Sequence, residues 1–187
     1  VVSTIDINGG TLNFTGGANN GGTVASTITM TGGTLSGSNF DWYGSITATP
    51  SLITNASATS STVSSGFRIR ENVTSVTLNV ADGSATNDLV VSGNIIQNGT
   101  NRALIKSGLG TAVLSGVSSY TGGTTVNAGT LALTAGGNEL GRIRGALTIN
   151  SGGTVSADTN WSLGYGTSQV VSTIDINGGT LNFTGGA

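Results

Sequence analysis

The chain has 187 residues, of which Gly 32, Thr 30, Ser 23 and Asn 18 make up 103, and it carries a formal net charge of −2 with one Pro and neither Cys nor His. Without His or Cys there is no Ser-His-Asp or Cys-His catalysis, no imidazole metal site and no disulfide. Small polar residues in this proportion mean either disorder or turn-dense β structure. Recurrent Ile, Val and Leu in short alternating runs, with only 6 basic and 8 acidic residues, decide for ordered, almost entirely β structure.

The chain opens on VVSTIDINGGTLNFTGGA, and the same eighteen residues return unchanged at 170–187. The spacing defines one tandem unit, residues 1–169, followed at 170–187 by the start of the next, and we expect both to come from a longer array. Within the opening, Ile5, Ile7, Leu12 and Phe14 alternate with polar residues on either side of Gly9-Gly10. That pattern predicts two short half-buried strands joined at a tight bend. The figure recurs at Ile28–Leu35, at Leu147–Val155 and, in the next copy, at Ile174–Leu181. A looser version stands at Leu52–Asn55, and further strands are expected at Val76–Val80 and Leu89–Val91, with Asp82-Gly-Ser as turn chemistry between them. Ala112–Leu114 and Val126–Leu133 read as strands separated by Gly122-Gly123. Residues 36–75, with Pro50 and Phe67-Arg-Ile-Arg70, break the rhythm and are expected to be an excursion from it.

Bends recurring every 20–30 residues or so predict an all-β solenoid of about seven coils per unit, each coil hydrogen-bonded to the coils above and below. One coil cannot bury its apolar side alone, so stability is expected to come from its neighbours.

The block Lys106–Leu133, KSGLGTAVLSGVSSYTGGTTVNAGTLAL, is where a family becomes visible. With its Gly-x-Gly-Thr opening, Leu-Ser-Gly turn, Tyr120-Thr-Gly-Gly-Thr-Thr and Asn127-Ala-Gly-Thr-Leu, it resembles the autotransporter-associated β-strand repeat, also called the passenger-associated transport repeat. The resemblance implies a right-handed parallel β-helix, secretion to the surface of a Gram-negative-type bacterium, and a role in adhesion or surface structure.

Other chemistry has few candidates. Asp82 with Asp88, and Asp41 against Glu71 or Asp158, are the acids that could pair as glycosidase carboxylates. Lys106 with Arg102 reads as a surface charge pair. Asp82–Asp88 offers several oxygens but fits no calcium-loop pattern. Threonines at 11, 34, 130, 154 and 180 follow the bends and read as β-branched corner packing rather than an ice-binding lattice. Phe40-Asp-Trp42-Tyr43, and later Trp161 and Tyr165, are either core plugs or an exposed sugar-stacking platform. No catalytic, cofactor-binding or metal-ligating residue is assigned, no cofactor is expected, and the chain reads as a non-enzyme. No basic patch suggests nucleic acid, and no apolar run reaches 18 residues.

The sequence thus leads to an expectation of an extracellular structural filament or stalk whose partner is its own next unit, with lateral contacts between fibres also open. The alternatives are a surface adhesin for glycans or other cells and, more distantly, a carbohydrate-active β-helix enzyme.

Overall fold

The computed structural model describes residues 2–16, 23–42, 49–134, 140–158, 161–166 and 170–185. Taken coil by coil, the strands run as follows. The first coil holds β1 (Val2–Asn8) and β2 (Thr11–Phe14); the second holds β3 (Thr23–Thr31), β4 (Thr34–Gly37) and β5 (Phe40–Trp42). The third holds β6 (Ser51–Thr54), β7 (Ser61–Val63) and β8 (Phe67–Ile69); the fourth holds β9 (Ser75–Val80), β10 (Leu89–Val91) and β11 (Ile95–Gln97). Then come β12 (Ala103–Ser107) and β13 (Thr111–Leu114), β14 (Thr124–Val126) and β15 (Gly129–Leu133), and β16 (Gly145–Asn150) and β17 (Gly153–Ala157). An eighth coil opens with β18 (Val171–Asn177) and β19 (Thr180–Phe183).

All strand pairings are parallel and run between successive coils, so the chain is a β-solenoid. The first sheet stacks β1, β3, β6, β9, β12, β14, β16 and β18, which puts seven coil-to-coil steps between β1 and its sequence twin β18. The second sheet stacks β2, β4, β7, β10, β13, β15, β17 and β19. A shorter third face stacks β5, β8 and β11 and joins the first sheet through β3, whose N-terminal end pairs with β5 and whose C-terminal half pairs with β6. The described parts of 36–75, expected to leave the coil, lie within these stacks; residues 43–48 fall outside the described set. The stretch 126–133 is not one strand, because the chain turns a corner at Asn127-Ala128 between β14 and β15.

Alternation places one row of side chains inside each sheet. Ile28, Met30, Leu147 and Ile149 are fully buried, and Ile7 is 6% exposed, so the coil register expected from the sequence holds. Coils two to four are closed by aromatic rings. Phe40 lies 5.4 Å from Phe14 and from Trp42 and 5.7 Å from Phe67, centroid to centroid. Phe40 and Trp42 are each 1% exposed, which makes them core plugs and not a sugar platform. Tyr120 closes the fifth coil, buried, with its hydroxyl 2.7 Å from that of Thr124.

One charged side chain stands in the core. Lys106 takes the place between Leu78 and Val126 in the first sheet's inner row and is fully buried. Its Nζ donates to the carbonyls of Ser107 (2.9 Å), Gly108 (2.8 Å) and Ala128 (3.1 Å), all at the corner where the fifth and sixth coils turn. The expected surface pair with Arg102 is therefore incorrect: alternation along β12 points Lys106 inward. Burial pushes its ammonium down to about 8, against the opposing pull of Asp88.

The corner between the first two sheets is made by Gly-Gly steps. Gly33, at φ 83°, has no room for a side chain, since a Cβ there would meet the Gly10 carbonyl at 2.6 Å and Ile7 Cγ2 at 2.9 Å in the coil below.

Gly10 and Gly179 are twins in different settings. A Cβ on Gly10 meets nothing within 4 Å, whereas one on Gly179 runs into Ile149 Cγ2 and stands 2.7 Å from the Asn150 carbonyl. Gly179→Ala should therefore detach the last coil, and Gly10→Ala in this chain should leave thermal stability within about 0.5 kcal/mol of the parent. Amide exchange across 171–183 reads the difference.

A second prediction concerns Lys106. Its folded-state pKa is lowered, so the folded form binds fewer protons than the unfolded one above pH 8, and stability rises with pH through that window. Tyr120, held neutral mainly by burial, reverses the trend above about pH 10. Chemical denaturation should show stability increasing from pH 8 to 10 by up to about 3 kcal/mol, at 1.36 kcal/mol per pKa unit. Lys106→Met should flatten that slope.

Candidate functional site

The two ends of the stack are where unsatisfied structure concentrates. At the β1–β2 end, Ile5, Asp6, Ile7, Asn8, Gly10, Thr11 and Leu12 line a recess of about 250 Å³. At the other end β18 and β19 present Ile174, Ile176 and Phe183 at 42%, 51% and 68% exposure. These are the same side chains, by sequence, as Ile5, Ile7 and Phe14.

The chain therefore displays one coil twice, once with its upper neighbour and once with its lower neighbour. In the first copy β3 and β4 cover it: Ile5 pairs with Ile28, Ile7 with Met30 and Leu12 with Leu35. In the second copy it lies on β16 and β17: Ile174 pairs with Leu147, Ile176 with Ile149 and Leu181 with Val155. Superimposing the twins gives a coil with a partner on both edges and its apolar row covered on both sides. The recess at the first copy is the space that Leu147, Ile149 and Val155 fill beneath the second.

The acids singled out from the sequence are used as ties between coils. Asp41 and Arg68 are register partners on the third face, and the Asp41 carboxylate accepts two bonds from Arg68, each 2.8 Å, and one from Arg70 at 3.2 Å. The hydrogen bond to Asp41 raises the Arg68 pKa above its ordinary value. Glu71 meets Arg70 at 3.1 Å, so this surface cluster is self-neutralising. Asp88, 6% exposed, accepts from the backbone N–H of Gly83 and of Thr111, both at 2.8 Å, tying the 82–88 turn to the next coil. Both oxygens of that carboxylate are thus committed to the backbone, while Asp82 faces solvent. Among the described residues no three His, Cys, Asp or Glu side chains gather as a metal-holding group.

Of the aromatic candidates, only Trp161 and Tyr165 are exposed, at 39% and 58%, with ring centroids 4.4 Å apart in an edge-on contact. Trp161 has φ 76°, a left-handed conformation that bulky residues rarely adopt. Tyr43, the remaining aromatic of the first cluster, lies outside the described residues. Sequence reasoning missed the inward Lys106 and the backbone role of Asp88. Strict alternation from Leu104 could have placed the lysine inside.

No curated protein and no solved structure matches the chain. Residues 104–133 match the family described as Passenger-associated-transport-repeat, and in the structure they span β12 to β15, including Lys106, its three carbonyl partners and the Tyr120–Thr124 pair. No helix among the described residues is long and apolar enough to cross a membrane. The chain is a tandem-repeat β-solenoid that carries a passenger-associated transport repeat at residues 104–133.

Proposed function

We propose that this protein is a structural filament or stalk in which identical 169-residue units continue one another end to end along a single solenoid. The observation that carries the reading is the doubled coil. The open β18–β19 edge has the sequence of the coil that β3 and β4 cover, so residues 23–37 of a following unit fit it in a register already seen once in the same chain. Apolar side chains half exposed at such an edge, beside unpaired backbone groups, favour occupation by another strand. The passenger-associated repeat supports a secreted, surface-displayed setting for the filament.

Its mechanism is mechanical. Pulling along the axis loads hydrogen-bonded ladders that run through every coil, and no unit boundary interrupts them. Seven coils at about 4.8 Å give roughly 34 Å of rod per unit.

A second reading, an adhesin that stacks on sugars, is favoured by one observation: the exposed Trp161–Tyr165 pair with its strained tryptophan backbone. In an array it would be offered once per unit, so weak single contacts would add.

Negative-stain images of chains holding two, four and eight units should show uniform rods that lengthen by about 34 Å per added unit. Beads on flexible linkers would overturn the filament reading. For the adhesin reading, Trp161→Ala should weaken binding on a glycan array about tenfold, the effect of 1.4 kcal/mol, with rod length unchanged. The same binding by wild type and variant would dismiss it.

A further inference from the structure

We propose that the outer face of the second sheet is a side-by-side docking surface for the same face of another copy of this chain; the proposal rests on the filament reading above. Charge points to this face first. None of the strands β2, β4, β7, β10, β13, β15, β17 and β19 contains a charged residue. The first sheet carries Asp6 and Asp175 on its outer side, and the third face carries Asp41 and Arg68. Two second-sheet faces therefore meet without bringing like charges together, which no other pairing of faces achieves as fully.

The chemistry of the face is self-complementary. Its middle row is apolar, with Val90, Val113 and Ala132 as successive register partners. Thr34 and Thr62 continue that row on one side and Ser156 on the other. A neighbouring row holds Thr111, Thr130, Thr154 and Thr180 in unbroken succession. Because Thr180 is the twin of Thr11, which pairs with Thr34, this row runs on through Thr34 and Thr62 of the following unit, six threonines in line. Hydroxyls donate and accept, so a hydroxyl-bearing face can satisfy a copy of itself around an apolar middle, the layout of a protein–protein contact. At the corner before β13, Leu109 stands 74% exposed as an apolar knob beside the face.

Area sets the conditions. A unit offers a strip about 34 Å long and about 14 Å wide, roughly 480 Å², from strand spacing and two-residue steps along each strand. A stable interface buries about 800 Å² per partner. One unit falls short, and two exceed it. Side-by-side association should therefore be absent in a one-unit chain and should strengthen steeply with unit number, because each added unit extends the same strip.

The test compares chains of one, two and four units by sedimentation velocity, with rod width and length read from negative-stain images. Expected are single rods for one unit and reversible, concentration-dependent doubling of rod width for four. Thr62→Lys with Thr154→Lys in every unit, both on the outer side of the second sheet, should abolish doubling while leaving rod length unchanged. The matched pair Thr77→Lys with Thr148→Lys, on the outer side of the first sheet, should leave doubling intact. Four-unit rods that stay single at all concentrations would overturn the proposal, as would equal loss of doubling in both variant pairs. Single rods that instead coat crystalline cellulose or ice would also overturn it, reassigning the face to that lattice. Rods that double in width without lengthening by a fixed increment per unit would count against the filament reading alone.

Discussion

Parallel pairing between successive coils is the constraint on which everything else in this protein depends. A strand in such a sheet has no hairpin partner; its backbone groups find partners only in the coil above and the coil below. The twins at the two ends measure what this means for side chains. Ile7, with a coil above it, is 6% exposed, while Ile176, the same residue without that coil, is 51% exposed. Hydrophobic stabilisation here belongs to junctions between coils rather than to coils, so the molecule gains its stability one junction at a time.

The matched segment 104–133 sits where that stacking is hardest to keep regular. From Leu78 to its register partner Lys106 the chain takes 28 residues, and from Lys106 to Val126 only 20. Below this point the coils are wide and filled by Phe40, Trp42 and Phe67; above it they are narrow. Where the circuit tightens, the corner carbonyls of Ser107, Gly108 and Ala128 turn toward the interior, and a buried ammonium supplies three donors at the spot where an aliphatic side chain would leave them unpaired. Asp88 does the complementary task one corner away, accepting from two backbone N–H groups. A charged residue inside a solenoid is thus explained by backbone accounting, with no catalytic role required.

How much of this could be read from the sequence depends on strand length. β1, β3 and β16 have six to nine residues and alternate visibly, and they were expected within a few residues of where they lie. β5, β8 and β11 have three each, too few to show a period, so residues 36–75 looked like a departure from the coil. There the third face is specified by stacking of Phe40 on Phe67 and of Phe67 on Ile95, a pattern spread over 27 and 28 residues that no local window contains. The aromatic candidates divided on the same principle: which rings are inside depends on the coil above and below, not on their neighbours in sequence. The end surfaces were foreseen because they are written as a literal repeat.

The repeat and the hydrogen-bond ladder are slightly out of step, and the size of the lag is informative. Followed coil by coil, the row that starts at Ile5 passes Ile28, Leu52, Leu78, Lys106, Val126 and Ile149 and arrives at Ile176, the twin of Ile7, rather than at Ile174. In the second sheet the row from Thr11 arrives at Asn182, the twin of Asn13. Both sheets lag by two residues, as twisted sheets with staggered strands allow. An odd lag would turn every inward side chain outward at the first unit boundary, since facing alternates with period two. An even lag preserves it: Ile174 and Ile176 still lie on the inner row above Leu147 and Ile149, and Gly179 still reaches the tight corner over Gly153. One 169-residue text can therefore be repeated without limit and keep a single continuous interior. That property constrains the unit more tightly than the packing of any one coil, because a change tolerated within a coil but altering the coil's length by one residue would be copied into every junction of the array.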